Sequence, residues 1–246
     1  MFGHEPREGG MIALGGAFHG RRERGRIKHG RGRSYQVDAM RWQSVPDEVS
    51  QMEFRDVVMK RRAVRRFEEG GVELSVIERI ARLAQRTPSA GFSQGQRLLV
   101  VTDPQRRREV ARICGEDEMV ADFGPWVSEC AAQFIPCVSE AIYHRRYQEP
   151  DKVKDDGSEI DWPVPFWWVD IGATMQTIML AAVDEGLGCG FIGPDIDGLR
   201  AYLGIPDEFV PIGVMPVGRP LPDVRSPSLK RGWVPFEDFA RWDRWD

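Results

Sequence analysis

The sequence predicts one α+β domain with a central mixed sheet flanked by helices. Three observations favour this fold class: helical periodicity recurs in several segments, short apolar runs of strand length are widely separated, and residues 169–185 are apolar nearly all round. With 246 residues, 41% of them hydrophobic and 29% charged, the chain is long enough to bury a sizeable core.

Helices are predicted in the first half of the regular part of the chain. Phe54, Val57 and Val58 form an apolar helical stripe that is followed by a basic run. Residues 74–84 repeat apolar positions at helical spacing until Thr87-Pro88-Ser89 stops the helix. Another helix is expected after Asp103, because its carboxylate can cap the first turn.

Three short apolar runs are predicted as strands: 98–101, 134–138 and 211–217. Between the last two lies a buried helix over 169–185, which the glycines from Gly186 onward end. A further helix is expected near 195–202. The polar interval 149–161 is predicted to be a solvated loop or a lid, and its neighbourhood from 143 to 168 is the expected determinant of substrate.

Composition excludes several kinds of chemistry. The formal net charge of −4 gives no global attraction to nucleic acid or to an anionic membrane. The four cysteines form no Cys-x-x-Cys pair, so neither a disulfide scaffold nor a metal site is expected. Three of the four histidines precede residue 48, which leaves His144 alone for any histidine relay. An enzyme of this composition is expected to borrow its reactive group from an organic cofactor.

Residues 1–48 are predicted to be a disordered basic extension rich in Gly and Arg, and residues 49–246 the folded domain. Within residues 1–35, eight Lys and Arg stand against three Glu. The alternatives are a nucleic-acid-binding arm, which we disfavour, and translation from a start upstream of the true one at Met40 or Met52. The absence of a secretory pattern and of an uninterrupted apolar span predicts a cytoplasmic protein with no membrane segment.

Arg61, Arg62, Arg65 and Arg66 place four guanidinium groups within six positions. Their planar forks suit phosphate, which accepts two parallel hydrogen bonds from each group. Taken alone, the run favours a solvated surface over a phosphate site.

Two loops of small residues accompany this cluster. Residues 87–96 offer hydroxyls and amides that can bond the edge of a flat heterocycle, and 186–193 contain four glycines that allow close backbone approach. The glycine run is not a dinucleotide fingerprint, because it follows a helix rather than a strand.

The order of these pieces resembles the nitroreductase family of flavin enzymes. Arg-Arg-x-x-Arg at Arg61 is followed by Pro-Ser-Ala-Gly at Pro88 and a strand, then by a long helix ending in Gly-Leu-Gly-x-Gly, then by Pro-Val-Gly-Arg-Pro. The likeness runs from about residue 57 to 239. Within the superfamily, 88–94 is most similar to the flavin-fragmenting 5,6-dimethylbenzimidazole synthase, and 191–193 to the iodotyrosine deiodinase branch.

The resemblance implies FMN as the cofactor and a domain-swapped homodimer with both flavin sites at the subunit boundary. Arginines would hold the phosphate and ribityl chain, Pro88 and Ser89 would reach the ring from the other subunit, and the glycine segment would follow the ring near N5. The implied cofactor-binding residues are Arg61, Arg62, Ala63, Arg65, Pro88, Ser89, Gly190, Phe191, Ile192, Gly193 and Arg231.

The implied function is hydride transfer from NAD(P)H through flavin N5 to an electron-poor aromatic or quinone-type acceptor, with no obligatory side-chain acid or base. The alternative is a non-catalytic flavin-binding or F420-binding protein. Three departures from the family pattern bear on this choice. Ala63 stands where many members have Ser and the synthase branch has Asp, Phe92 replaces a common Asn, and Gly95-Gln96 replaces Pro-Trp.

Overall fold

The computed structural model describes residues 52–222 and 226–245, so the extension predicted at 1–48 lies outside the described residues. The helices are α1 (Phe54–Lys60), α2 (Leu74–Ala84), α3 (Pro104–Ile113), α4 (Glu116–Phe123), α5 (Glu140–Tyr147), α6 (Phe166–Asp184), α7 (Ile196–Leu203) and α8 (Phe236–Phe239). The strands are β1 (Gln96–Val101), β2 (Ala132–Val138), β3 (Gly188–Cys189), β4 (Val210–Pro211) and β5 (Met215–Gly218). Short 3-10 helices occur at Ala90–Phe92 and Pro227–Arg231.

The sheet has the strand order β1-β2-β5-β3, and β4 also pairs with β2. All of these strand pairs are antiparallel. The parallel component of the sheet is an isolated bridge between Ala63 and Cys189. The predicted α+β fold class is confirmed, because helices cover a small sheet whose strands are distant in sequence.

The run 211–217, predicted as one strand, forms the two strands β4 and β5. Phe134 pairs with Met215 and Cys137 with Pro211, so two residues of β2 face three residues of the opposite strand. This extra residue is a β-bulge. The bulge lies opposite Pro136, whose carbonyl accepts from the amide of Ile212 at 2.9 Å but which has no N–H to return.

Helix α6 is the centre of the fold and begins three residues before the predicted start. Its buried face includes Ile171, Ile178 and Ala182, which pack with α2 and the inner strands. By length and mean hydropathy α6 could also cross a bilayer. The buried face, however, contains Asp170 and Thr174 with hydrogen-bond partners inside the domain, as expected for the core helix of a globular fold.

Helices α4 and α5 were not predicted because their sequences carry little apolar periodicity. Helix α4 begins at Glu116, whose buried carboxylate accepts from the backbone amides of Val127 and Ser128. Helix α5 is capped by Ser139, which accepts from the amide of Ile142 at 3.3 Å. Both helices are therefore fixed by polar contacts to distant backbone or at their ends rather than by a hydrophobic stripe.

All four cysteines are buried and free. Burial raises the pKa of Cys114, Cys130, Cys137 and Cys189 to about 12, so each thiol stays protonated at neutral pH. They serve as small apolar core residues.

Replacing Ile178 by Ala tests the central position of α6. The side chain is fully buried, so the change should lower the free energy of unfolding by about 2–5 kcal/mol. Ile196→Ala, at a position 38% exposed, serves as the control and should cost much less. Urea unfolding followed by circular dichroism measures both, and equal losses would contradict the packing described.

Candidate functional site

The arginine cluster lies on an extended segment that follows α1 and joins the β3 edge of the sheet. The amide of Val64 donates to the carbonyl of Cys189 at 3.1 Å, and the buried side chains of Val64 and Phe67 anchor the segment in the core. The Arg65 guanidinium carbon lies 5.4 Å from the centroid of the Phe123 ring, a cation–π distance. Phe123, on α4, therefore helps to orient a candidate phosphate-binding side chain.

The structure separates the four arginines by direction. Arg62 lines a cavity together with Val64, Gly188 and Pro220. Arg66 donates to the carbonyl of Pro222 at 3.3 Å. Side chains alternate along extended backbone, so Arg61, Ala63 and Arg65 share the face opposite to Arg62 and Val64.

The glycine segment 190–193 extends β3 along β5. The amides of Gly190 and Ile192 donate to the carbonyls of Pro216 and Val214, both at 2.9 Å. Because backbone groups alternate along a strand, the intervening amides of Phe191 and Gly193 point away from β5. Two donors are thus directed to the side of the segment where the sheet ends.

Gly190 is required by close approach. A Cβ there would lie 2.6 Å from the carbonyl oxygen of Val64 and 2.6 Å from the Trp126 ring. Phe191 is half exposed and packs its ring edge where a Cβ at Gly213 would fall, 2.3 Å away. The missing side chain of Gly190 therefore lets the glycine segment approach the arginine segment, and that of Gly213 makes room for the Phe191 ring.

The 87–94 loop, which carries Pro88 and Ser89, has an unusual backbone after Ser89. Gly91, Phe92 and Gln94 all have positive φ, +60°, +57° and +52°. For a bulky residue such as Phe92 this conformation costs on the order of 1–3 kcal/mol. The hydroxyl of Ser89 accepts from the amide of Gln94 at 2.8 Å, which leaves the hydroxyl proton of Ser89 available to a ligand.

Within one chain the loop and the arginine segment lie far apart. The loop leads into β1 and the glycine segment leaves β3, so three strand spacings, about 14 Å, separate these edges. The loop contacts α6 at Asp170, whereas the start of α1 contacts α6 at Asp184. Fourteen residues of helix lie between these contacts, about 21 Å at 1.5 Å each. One chain does not bring Pro88 and Ser89 to Arg61 and Arg65.

The polar interval 149–161 is tied to α5 by ion pairs and by an aromatic cluster. Nδ1 of His144 lies 2.6 Å from Glu159, which also accepts from the indole N–H of Trp162. Trp162 packs on Tyr143, Tyr147 and Trp167. Since Arg145 pairs with Glu208 and Arg146 with Asp151, the three basic side chains of α5 have partners within the chain.

The C-terminal residues are exposed in the single chain. Arg231 ends the second 3-10 helix with its side chain exposed. Beyond it the large apolar side chains of Trp233, Phe239 and Trp245 are 90%, 78% and 84% exposed. Apolar area of this extent normally contacts another surface.

Comparison with known proteins relates the chain to a family. The model of the nitroreductase family matches residues 58–219. The chain belongs to the nitroreductase family. It is 23% identical over 171 residues to an FMN reductase (NADPH) of Bacillus subtilis, covering 67% of this chain and 65% of that protein.

Two further proteins extend the comparison. The chain is 24% identical over 187 residues to an NADPH-dependent oxidoreductase of Staphylococcus aureus, covering 74% of this chain and 70% of that protein. A solved nitroreductase family protein of Streptococcus pneumoniae superposes with a TM-score of 0.61 at 18% identity, covering 77% of this chain and 100% of the other. The last likeness concerns the fold alone.

The sequence analysis did not identify the residues that support the candidate site from outside its motifs. The sequence analysis assigned no role to Asp170, although its carboxylate accepts from the loop amide of Ala90. Phe123, under Arg65, lies on a helix that the pattern did not predict. A buried acid inside an apolar helix is a usable signal, because such a group is retained only with partners.

Gly190→Ala tests the close approach of the two segments. The added methyl would meet backbone oxygen and an aromatic ring, so we expect a loss of about 1–3 kcal/mol in stability. Gly193→Ala is the matched control, since nothing lies within 4 Å of a Cβ there. The loss is measured from the midpoints of urea unfolding of the two variants in flavin-free form. An unchanged midpoint for Gly190→Ala would contradict the described packing.

The His144–Glu159 pair predicts a pH dependence of stability. The hydrogen bond to Glu159 raises the pKa of His144, burial opposes it, and Glu140 adds to the rise. Because the pKa of His144 is raised in the folded state, its protonation stabilises the fold at pH values below the ordinary histidine pKa near 6.5. This stabilisation is lost as the pH rises through the pKa of His144 in the folded protein. Because the pair is partly exposed, the effect should stay below about 1 kcal/mol.

This effect is measured as the stability difference between the natural sequence and Glu159→Gln across that pH range. The difference should shrink as pH rises above the ordinary histidine pKa. Asp161→Asn, whose carboxylate pairs with Lys154 instead, should show no such trend. A difference that grows with pH would contradict the assignment.

Proposed function

We propose that this chain is an FMN-dependent NAD(P)H oxidoreductase whose acceptor is an electron-poor aromatic or a quinone-type molecule. The observation that carries the proposal is the junction of the arginine and glycine segments at one sheet edge, held by Val64 on Cys189. It lies within the region matched by the family model. The names of relatives, among them an FMN reductase (NADPH) and an NADPH-dependent oxidoreductase, agree with it.

The residues present fit a phosphorylated flavin. Arg61 and Arg65 would pair with the phosphate, with Arg65 preoriented by Phe123, and the backbone of Ala63 would lie beside the ring system. Arg62 lines the opposite side of the segment, so we assign it a supporting role. Arg231, on an exposed 3-10 helix, would complete the phosphate shell.

FMN would supply a two-electron carrier that takes hydride from a nicotinamide at N5 and passes it to the acceptor. The contribution of the chain is position and charge. The amides of Phe191 and Gly193, directed away from β5, can donate to the ring, and Ile192 is held by its bridge to Val214. Gly190 allows this segment to lie against Val64 and Trp126, which sets its position beside the arginine segment.

We further propose a homodimer, because the two halves of the site lie on opposite sheet edges. A second copy would bring its own Pro88 and Ser89 to the arginine segment. The exposed aromatic residues from Trp233 to Trp245 would then cover the partner. The outer edge of β1 and the groove between it and α2 offer a place for such a segment.

Replacement of Arg65 by Ala should weaken FMN binding by at least tenfold, because a charge-assisted contact to phosphate contributes about 1.5–3 kcal/mol. Arg66→Ala removes an equal charge one position away, on a side chain that bonds Pro222, and is the control. Quenching of flavin fluorescence on titration of flavin-free protein measures both dissociation constants. Equal effects would indicate general electrostatics rather than a defined phosphate site.

The alternatives are separated by the chromophore and its reactivity. The released cofactor, identified by mass and absorbance, distinguishes FMN from F420. An enzyme should bleach with anaerobic NADPH or NADH and recover its colour on addition of a quinone or a nitroarene. Binding without bleaching would support the flavin-storage alternative instead.

A further inference from the structure

The 87–94 loop needs something outside itself to hold its backbone. Gly91, Phe92 and Gln94 all lie in the left-handed region, which is costly for the two residues that carry side chains. Phe92 is also 63% exposed, so burial of its ring within this chain does not offset the cost. A conformation of this kind persists only where surrounding contacts determine it.

The strongest of these contacts comes from a buried acid on α6. The side chain of Asp170 lies in the core, and its Oδ2 accepts from the amide of Ala90 at 2.8 Å. The same oxygen accepts from the hydroxyl of Tyr143 at 2.8 Å. A carboxylate with two donors is far cheaper to bury than one without them, so this arrangement is specific.

Tyr143 is enclosed on every side. It is fully buried on α5, and a Cβ at Gly95 would lie 2.4 Å from its ring. Burial, with Asp170 adding to it, raises the pKa of Tyr143 well above its ordinary value, so the hydroxyl keeps its proton and remains a donor. Gly95, which departs from the family pattern, is thus the position that makes room for this ring.

Two more contacts fix the loop on either side of Ala90. One helical turn after Asp170, the hydroxyl of Thr174 lies 2.8 Å from that of Thr87. On the other side, Nε of Arg146 donates to the carbonyl of Gly91 at 3.0 Å. The loop is therefore held at its start by α6 and at its middle by α6 and α5.

We propose that Asp170 and Tyr143 are positioning residues that hold Pro88 and Ser89 in the geometry required for flavin binding in the site of the partner subunit. This inference rests on the proposed function. Neither residue touches the flavin; both act through the amide of Ala90, which directly follows Ser89. Preorganisation of this kind lowers the cost of ordering a loop when a ligand binds.

Tyr143→Phe is the decisive variant, because it removes one hydroxyl and keeps the ring. Asp170→Asn removes the charge and keeps the shape. Tyr202→Phe is the matched control: it makes the same change on α7, on a side chain that is 37% exposed. Each protein is tested as the full chain by fluorescence titration of its flavin-free form with FMN, by hydrogen exchange of residues 87–94, and by urea unfolding.

We expect FMN dissociation constants to rise about fivefold for Tyr143→Phe and about tenfold for Asp170→Asn, with no change for Tyr202→Phe. Exchange of the 87–94 amides should quicken in the first two variants alone. Should Asp170→Asn fail to fold, Tyr143→Phe still decides the question. A merely structural role would lower the urea midpoint and leave FMN affinity unchanged, which would overturn the inference.

The controls also separate this inference from the proposed function. A natural sequence that binds FMN, with variants that bind it equally well, contradicts the positioning role alone. A natural sequence that takes up no FMN contradicts the proposed function and the positioning role together.

Discussion

The strand order of the sheet, β1-β2-β5-β3, determines which segments one copy of the chain can bring together. The strand at one edge is entered from the 87–94 loop, and the strand at the other edge continues into the glycine segment beside the arginines. A rigid sheet does not bring its own edges together, so a site that uses both segments has to be built from two copies. In the proposed homodimer the exposed aromatic C-terminal residues would cover the outer edge of β1, which pairs with no further strand among the described residues.

Helix α6 links the two halves of this arrangement within each chain. One end holds the loop through Asp170 and Thr174, and at the other end Asp184 accepts from the amide of Met52. The same helix supplies the apolar face around Ile178 that forms the core. The core and the placement of the 87–94 loop therefore both depend on α6, which accounts for the buried Asp170 near the start of an apolar helix.

The sequence predicted the elements that carry strong apolar periodicity, among them α2, α6 and the strands β1 and β2. The sequence also contains the site motifs in a recognisable order, and the family resemblance of that order implied a cofactor. Periodicity carries no information on helices fixed by polar contacts, so α4 and α5 were missed. The bulge opposite Pro136 and the αL backbone of Phe92 arise from tertiary contacts and were equally beyond reach.

The division of the site between two copies is tested most directly by complementation. Arg65→Ala disables the arginine segment, and Ser89→Trp blocks the loop. When the two variants are co-expressed and assemble at random, half of the dimers are mixed, and each mixed dimer regains one natural site. About a quarter of all flavin sites should then bind FMN, although neither variant binds alone. Absence of any recovered binding in a verified mixed dimer would contradict a site shared between subunits.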